Sequence, residues 1–88
     1  MAGEKAIKAF LNKKVKQEGN TVSTGKELIL FGNTIAKWEN NELWITNAGW
    51  FSVTTKDRLN KLPIRSLQQV KGEWFLNGQK WDGEWIKI

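Results

Sequence analysis

Five dipeptides typical of tight turns divide much of this sequence into short runs in which hydrophobic and polar residues alternate. The dipeptides are Gly32-Asn33, Asn40-Asn41, Lys71-Gly72, Asn77-Gly78 and Asp82-Gly83. Alternation with a period of two indicates strands, and a two-residue turn of this kind joins two antiparallel strands. The sequence therefore predicts two antiparallel β-meanders, the first over residues 27–46 and the second over residues 66–88.

The two-residue turns also predict which side chains share a face of each meander. The predicted core face of the first meander holds Ile29, Phe31, Ala36, Trp38, Leu43 and Ile45. Its other face mixes apolar and charged residues, so that face is either partly covered or used for binding. One face of the second meander is predicted to hold Leu67, Trp74, Leu76, Trp81 and Ile86. The other face holds Val70, Phe75, Lys80, Trp85 and Lys87. Only residues 79–81 separate the last two turns, so either both are two-residue turns or one of them is a wider loop.

A helix is predicted over residues 4–16, where the hydrophobic period changes to that of a helix. The apolar residues Ile7, Phe10, Leu11 and Val15 recur at the spacing that makes one stripe along a helix. Most lysines of this segment fall outside the stripe, but Lys14 falls within it. The helix therefore either frays at Lys14 or lets that side chain reach outward to solvent.

A second, shorter helix is predicted over residues 54–62, between the meanders. Thr54 is the predicted N-cap, with Asp57 three residues later in the spacing of a capping box. Pro63 cannot continue the helix because it has no backbone N–H. We expect Trp50 and Phe51, just before the cap, to anchor this helix on a sheet.

These elements predict one α+β domain over residues 1–88. The chain has no cysteine, so apolar packing must supply its core, and six tryptophans and four phenylalanines are available for it. No apolar run approaches the roughly 20 residues needed to cross a bilayer. The charged N-terminus lacks the apolar run of a signal peptide. We therefore expect no membrane partner and a cytoplasmic location.

The residue types present argue against catalysis. The chain has neither histidine nor cysteine, which removes the commonest general base, the commonest metal ligand and the thiol nucleophile. Its glycines are scattered singly at turns and form no phosphate-cradling loop. We expect a protein that acts by binding, with no catalytic residue, no cofactor and no metal.

The charge balance narrows the class of partner. Fourteen Lys and Arg against nine Asp and Glu give a net charge of +5, which favours nucleic acid, an acidic membrane surface or an acidic protein. The charge is equally consistent with a role in solubility alone. The first hypothesis is nucleic-acid binding through lysine–phosphate contacts and aromatic stacking. The alternative is a protein–protein module, either an inhibitor of a host enzyme or a self-associating subunit.

Two surfaces could carry such binding. The first is the face of the second meander that bears Phe75, Lys80, Trp85 and Lys87, where the predicted turns place Lys80 opposite both rings. Rings that flank a cation can stack single-stranded bases, but the same arrangement can be a cross-strand contact that only stabilises the sheet.

The second surface is the lysine face of the N-terminal helix. Its members are Lys5, Lys8, Lys13 and Lys16. Lys56, Arg58 and Lys61 of the short helix could add to this surface. A basic helix can follow duplex phosphates, lie on acidic lipid or contact an acidic protein, and it can also be a solvated face. Acidic lipid is the weakest of these, because the apolar stripe is needed for the core.

Two stretches together resemble a known group of proteins. These are ITNAGWFSVTTKDRLNKLP and GEWFLNGQKWDGEW, which are similar to motifs of short, uncharacterised proteins encoded by tailed bacteriophages. The first motif rests on Thr54, Thr55, Arg58, Leu59, Asn60 and Leu62. The resemblance covers residues 32–85 and leaves out the N-terminal helix. It implies a phage-encoded accessory protein, made in the host cytoplasm, that acts on nucleic acid or on a host machine.

Overall fold

The described part of the chain folds into two antiparallel sheets and two helices. A computed structural model describes residues 3–49, 53–62 and 67–88. In chain order the elements are α1 (Glu4–Leu11), β1 (Val15–Glu18), β2 (Thr21–Thr24), β3 (Glu27–Leu30), β4 (Asn33–Glu39), β5 (Glu42–Ile45), α2 (Val53–Asn60), β6 (Leu67–Val70), β7 (Glu73–Leu76), β8 (Gln79–Lys80) and β9 (Ile86–Lys87). One sheet has the order β1-β2-β3-β4-β5-β9, and the other has the order β6-β7-β8. The predicted α+β class is confirmed.

One hydrophobic core joins both sheets to both helices. α1 packs against β1, β2 and β3, and α2 packs against β4 and β6. The buried side chains of the core are Ile7, Phe10, Leu28, Leu30, Ile35, Ala36, Leu43, Ile45, Leu59, Leu62, Leu67, Trp74, Leu76 and Trp81. The radius of gyration is 12.0 Å, about the value for one compact domain of this length. No helix in the described part of the chain is long and apolar enough to cross a membrane.

The first helix ends at Leu11 and not at residue 16 as predicted. The side-chain amide of Asn12 donates a hydrogen bond to the carbonyl of Lys8 (2.9 Å), and Lys13 follows in a left-handed conformation (φ 58°). The chain then enters β1, where Val15 is 77% exposed. Lys14 is a charged residue within the predicted apolar stripe, and its presence there indicated that the stripe does not continue.

Residues 15–24 form a hairpin that the sequence analysis did not predict. Glu18 pairs with Thr21 across the turn at residues 19–20. The Glu18 carboxylate accepts a hydrogen bond from the backbone N–H of Lys5 (2.9 Å). This bond, with smaller help from the backbone N–H groups of Ala6 and Gly3 and from the charge of Lys5, lowers the pKa of Glu18. The N-cap Gly3 has no side chain to cap α1, and Glu18 of the neighbouring strand caps the helix instead.

The register predicted for the first meander was wrong by one residue at its first turn. The turn is Phe31-Gly32, with Leu30 paired to Asn33, so Leu28 and Leu30 face the core. Ile29 is only half-buried and Phe31 is 63% exposed. A slip of one residue turns every side chain of a strand to the other face. A β-bulge that inserts Ile35 restores the predicted inward direction from Ala36 onward.

The rest of the first meander follows the prediction. The turn at Asn40-Asn41 pairs Glu39 with Glu42, and Leu43 and Ile45 are buried.

The second helix begins at Val53, so Thr54 lies inside it and is not its N-cap. The predicted roles of Trp50, Phe51 and Pro63 fall outside the described residues.

The second meander is shorter than predicted because the chain leaves it after β8. The turns at residues 71–72 and 77–78 are confirmed, and Leu67, Trp74, Leu76 and Trp81 form the buried face. The predicted hairpin at residues 82–83 was wrong: β9 pairs with β5, and Ile86 is 37% exposed.

Contacts made by Gly83 redirect the chain at this point. Its carbonyl accepts hydrogen bonds from the backbone N–H of Asn47 (3.0 Å) and from the hydroxyl of Thr46. Gly83 itself is buried. These contacts attach residues 81–85 to the end of β5, so β9 continues the larger sheet instead of the smaller one.

Candidate functional site

The lysines of the described segments fall into two groups. In one group the ammonium lies within 4 Å of a carboxylate: Lys37 with Glu39, Lys61 with Asp57, Lys80 with Glu73 and Lys87 with Glu42. In the second group no carboxylate of the described residues lies within that distance. This group is Lys5, Lys8, Lys13, Lys14, Lys16, Lys26, Lys56 and Lys71. Positive charge that is not matched locally is therefore concentrated in the first third of the chain.

Four members of the second group lie at one end of the six-stranded sheet, and we call them the lysine cluster: Lys13, Lys14, Lys16 and Lys26. The buried Ser23 connects their segments. Its hydroxyl donates to the carbonyl of Lys14 (2.6 Å) and accepts from the backbone N–H of Gly25 (3.2 Å), and its Cα is paired with that of Lys16. All four side chains are exposed.

The loop between β2 and β3 can approach Lys13 because residue 25 is glycine. A Cβ there would lie 3.2 Å from the carbonyl oxygen of Lys13, and the φ of 93° also disfavours a side chain. The next residue is Lys26, whose carbonyl accepts the backbone N–H of Trp38 (2.8 Å). The close loop contact therefore holds two lysines beside one tryptophan.

A depression of about 460 Å³, which we call the Trp38 groove, lies between these elements. It is lined by Lys13, Gly25, Lys26, Trp38, Glu39, Asn40 and Asn41. The Trp38 ring stacks on buried Phe10 with centroids 5.7 Å apart, and its indole N–H donates to the Phe10 carbonyl (2.9 Å). The Lys13 ammonium lies 5.1 Å from the Trp38 ring centroid and donates to Oδ1 of Asn41 (2.7 Å).

A second depression, of about 320 Å³, shares Trp38 and Asn41 with the first. It also involves Leu43, Glu42 and Lys87. Lys87 is half-exposed and paired with Glu42 at 3.0 Å. Trp38 therefore lies between two sets of charges. Lys13 and Lys26 have no carboxylate partner among the described residues, whereas Glu42 and Lys87 pair with each other.

The structure separates the residues predicted for the lysine face of the first helix. Lys13 and Lys16 belong to the lysine cluster, but from a turn and a strand and not from a helix. Lys5 and Lys8 are exposed on α1 itself, and Lys8 borders a different depression, beside Lys61.

The residues predicted on the second helix, Lys56, Arg58 and Lys61, are partly or wholly occupied by internal contacts. Lys56 is half-buried, with its ammonium 3.4 Å from Oε1 of Gln69. Arg58 is only 7% exposed, and its Nε donates to the hydroxyl of Thr21 (3.1 Å) while its guanidinium pairs with Asp57. The prediction that Arg58 offers its charge to a partner is corrected by this burial.

Asp57 forms ion pairs with two cations at the C-terminal end of the second helix. Its carboxylate accepts hydrogen bonds from the Lys61 ammonium at 2.9 and 3.0 Å. These bonds, with the added charge of Arg58, lower the pKa of Asp57. The acid that was predicted to complete a capping box therefore pairs with Arg58 of its own helix and with Lys61 just after the helix.

The aromatic surface predicted on the second meander is not assembled as expected. Lys80 is opposite Phe75, as predicted, but its ammonium pairs with Glu73 (3.1 Å). Trp85 lies away from Lys80, and its ring instead carries the Lys37 ammonium 4.5 Å from its centroid. The change of partner follows from the path of β9, which joins the larger sheet.

The sequence analysis missed Lys14, Lys26, Trp38, Asn40 and Asn41 as site residues. Trp38 was assigned to the core because its face of β4 is otherwise apolar, and it is in fact half-buried. A signal was present in the three like charges of Lys13, Lys14 and Lys16, which fit poorly on one helix and better on a turn.

A protein-family model described as Kyanoviridae Gp96 protein matches residues 2–87. This is a family of phage proteins, which agrees with the resemblance found in the sequence. The match also includes the N-terminal helix, which the motif resemblance left out. No curated protein and no solved structure matches the chain.

Proposed function

The chain belongs to the Kyanoviridae Gp96 family of phage proteins, and we propose that it binds nucleic acid without catalysing a reaction. The proposed place of action is the cytoplasm of the bacterial host. The absence of histidine and cysteine from the sequence supports a role in binding, because most turnover needs a proton-transferring or metal-binding side chain.

The observation that carries the proposal is the lysine cluster beside the Trp38 groove. Four exposed ammonium groups on adjacent segments, with no carboxylate of the described residues within 4 Å, can each neutralise a phosphate. Binding then releases counterions, so the logarithm of the association constant falls linearly with the logarithm of salt concentration. Four phosphate contacts correspond to a slope of about −3 to −4.

The test compares two triple variants that remove the same charge. Lys14→Gln, Lys16→Gln and Lys26→Gln together neutralise the cluster while leaving the contact of Lys13 with Trp38 in place. The matched control carries Lys5→Gln, Lys8→Gln and Lys71→Gln, which lie outside the cluster, are exposed and likewise lack a carboxylate partner among the described residues. Binding to a labelled 20-nucleotide strand is measured by fluorescence anisotropy at several salt concentrations.

We expect the cluster variant to lose roughly two units of salt slope, and the control to keep the slope of the wild type. Equal losses in the two variants would mean that the attraction depends on net charge and not on the cluster. Absence of binding by the wild type at about 50 mM salt, where phosphate contacts are strong, would remove the proposal.

A second candidate function is contact with a protein, as an inhibitor of a host enzyme or as a self-associating subunit. It is favoured by three exposed apolar residues close together in sequence, Trp85 (40%), Ile86 (37%) and Ile88 (37%). Exposed tryptophan is typical of interface hot spots. Sedimentation of the wild type and of Trp85→Ser tests self-association, and capture from nuclease-treated host lysate by the two proteins tests a host partner. A monomer that captures the same proteins with and without Trp85 would contradict this candidate.

A further inference from the structure

We infer that the Trp38 groove receives one unpaired base, so that the nucleic acid bound at this site is a single strand. This inference rests on the proposed function and deepens it. The lysine cluster alone would attract any polyphosphate chain. The groove supplies a preference among such chains.

The size and position of the groove favour a single base over a duplex. It is an open depression of about 460 Å³, large enough to receive one small molecule. It lies between the turns at residues 25–26 and 40–41, at one end of the larger sheet. Neither turn is a helix or a two-stranded β-ribbon, the elements that enter the major groove of a duplex. A base that is not paired can leave its stack and enter such a space.

The lining of the groove has the chemistry that recognises a base. The side-chain amides of Asn40 and Asn41 each offer two donors and one acceptor oxygen, the set needed to bond a base edge. Both residues are exposed. Lys13 and Lys26 border the same space and can hold the phosphates on either side of the nucleotide.

The Trp38 ring supplies a stacking surface that is occupied by Lys13 in the unbound protein. Phe10 is fully buried, so the ring face that it covers is the inner one. The Lys13 ammonium belongs to an exposed residue and lies over the ring at 5.1 Å, so it covers the outer face. A stacked base contributes more than an exposed cation over the same ring. An entering base therefore displaces the ammonium from the ring and from Asn41, which leaves Lys13 able to contact a phosphate.

The experiment compares a labelled 12-nucleotide strand with the blunt duplex of the same sequence, by anisotropy at about 100 mM salt, a concentration at which phosphate contacts are already weakened. Asn41→Gly removes an amide from the groove at a position whose φ is 62°, which glycine adopts without strain. Asn77→Gly is the matched control, because it makes the same change in the turn at residues 77–78, where φ is 53°. Trp38→Leu removes the stacking ring, with circular dichroism to verify folding.

We expect the wild type to bind the strand at least tenfold more tightly than the duplex, and Trp38→Leu to lose roughly tenfold of its strand affinity. Asn41→Gly is expected to lose strand affinity by a smaller factor, and Asn77→Gly to keep it. Equal affinity of the wild type for strand and duplex would overturn the inference and leave the proposed function standing. The inference also fails, and the proposed function stands, if Asn41→Gly and Asn77→Gly have equal strand affinity while the triple-lysine variant loses binding. If neither nucleic acid binds, the proposed function fails with the inference; if Trp38→Leu does not fold, the paired asparagine variants decide.

Discussion

The lysine cluster and the C-terminal part of the chain use lysine differently. At the end that holds the lysine cluster, Lys14, Lys16 and Lys26 are exposed and have no carboxylate partner among the described residues. In the C-terminal part, Lys80 and Lys87 each pair with a glutamate at 3.1 and 3.0 Å. Because a paired ammonium has part of its charge neutralised already, the lysine cluster offers more to a phosphate than Lys80 and Lys87 do. The net charge of the chain does not distinguish the unpaired lysines of the cluster from the paired Lys80 and Lys87.

The C-terminal part is instead rich in residues that hold the fold together. Asn60 makes two hydrogen bonds of 3.1 Å with the backbone of Leu67, one in each direction, and so joins the end of α2 to β6. The Trp81 indole N–H donates to the carbonyl of Glu84 (2.9 Å). Arg58 connects α2 to the larger sheet through Thr21. The motifs that resemble phage proteins therefore describe, at these positions, the scaffold of this chain and not its candidate site.

The sharpest test of this division is Trp74→Ala. Trp74 is 1% exposed in the core that joins the two sheets, so its loss should lower the free energy of unfolding by about 3–5 kcal/mol. Lys14→Ala, in the exposed lysine cluster, should change it by less than about 0.5 kcal/mol. Urea unfolding followed by circular dichroism measures both. Equal effects of the two substitutions would contradict the division into scaffold and binding end.

The next largest effect is expected at Gly83, where β9 is directed to the larger sheet. A Cβ there would lie 2.2 Å from Nδ2 of buried Asn47, and φ is 89°. Gly83→Ala should therefore lower the free energy of unfolding by about 2–4 kcal/mol, from backbone strain and overpacking together. Gly72→Ala is the control, because its φ is 81° but no atom of the described residues lies within 4 Å of its Cβ position. If the two variants unfold at the same urea concentration, the contact with Asn47 does not direct β9.

Local pattern predicted the elements of this fold better than their connections. The turn at residues 40–41 and the buried face with Trp74 and Trp81 follow from alternation and turn chemistry alone. The turn at Phe31 was wrong by one residue, because Gly32 is compatible with either position of a turn that needs positive φ twice. The path of β9 depends on Gly83 contacting residues more than thirty positions earlier, which no local pattern contains.

The candidate site could be predicted only in part, because some of its residues come together through contacts that no local pattern contains. Lys13 and Lys16 were chosen because of their charge, and this choice did not need the correct secondary structure. Trp38 and Lys26 were missed because they join these lysines only through loop contacts between β2, β3 and β4. A site built from separate segments needs the tertiary register before its members can be recognised.

A smaller effect is expected from Lys71, an exposed lysine outside the cluster. It occupies a two-residue turn with φ of 52°, before Gly72. Asparagine adopts this conformation more readily than lysine, so Lys71→Asn should raise the free energy of unfolding by about 0.5–1 kcal/mol. Its affinity for the labelled strand should stay within twofold of the wild type. A larger loss of affinity would show that binding extends beyond the cluster.

The smallest effect concerns Glu18, which joins β1 to the first turn of α1. Its pKa is lower in the folded chain than its ordinary value of 4.5, chiefly because the backbone N–H of Lys5 bonds the carboxylate. The stabilisation is therefore complete well above pH 4.5, and it is lost as the pH falls from there through the lower folded pKa. Glu18→Gln should be less stable than the wild type at pH 7, and the difference between the two should shrink below pH 4. Urea midpoints at pH 7, 5, 4 and 3 test this. A constant difference across these values would mean that the Glu18 charge does not stabilise α1, and that the start of this helix depends on packing alone.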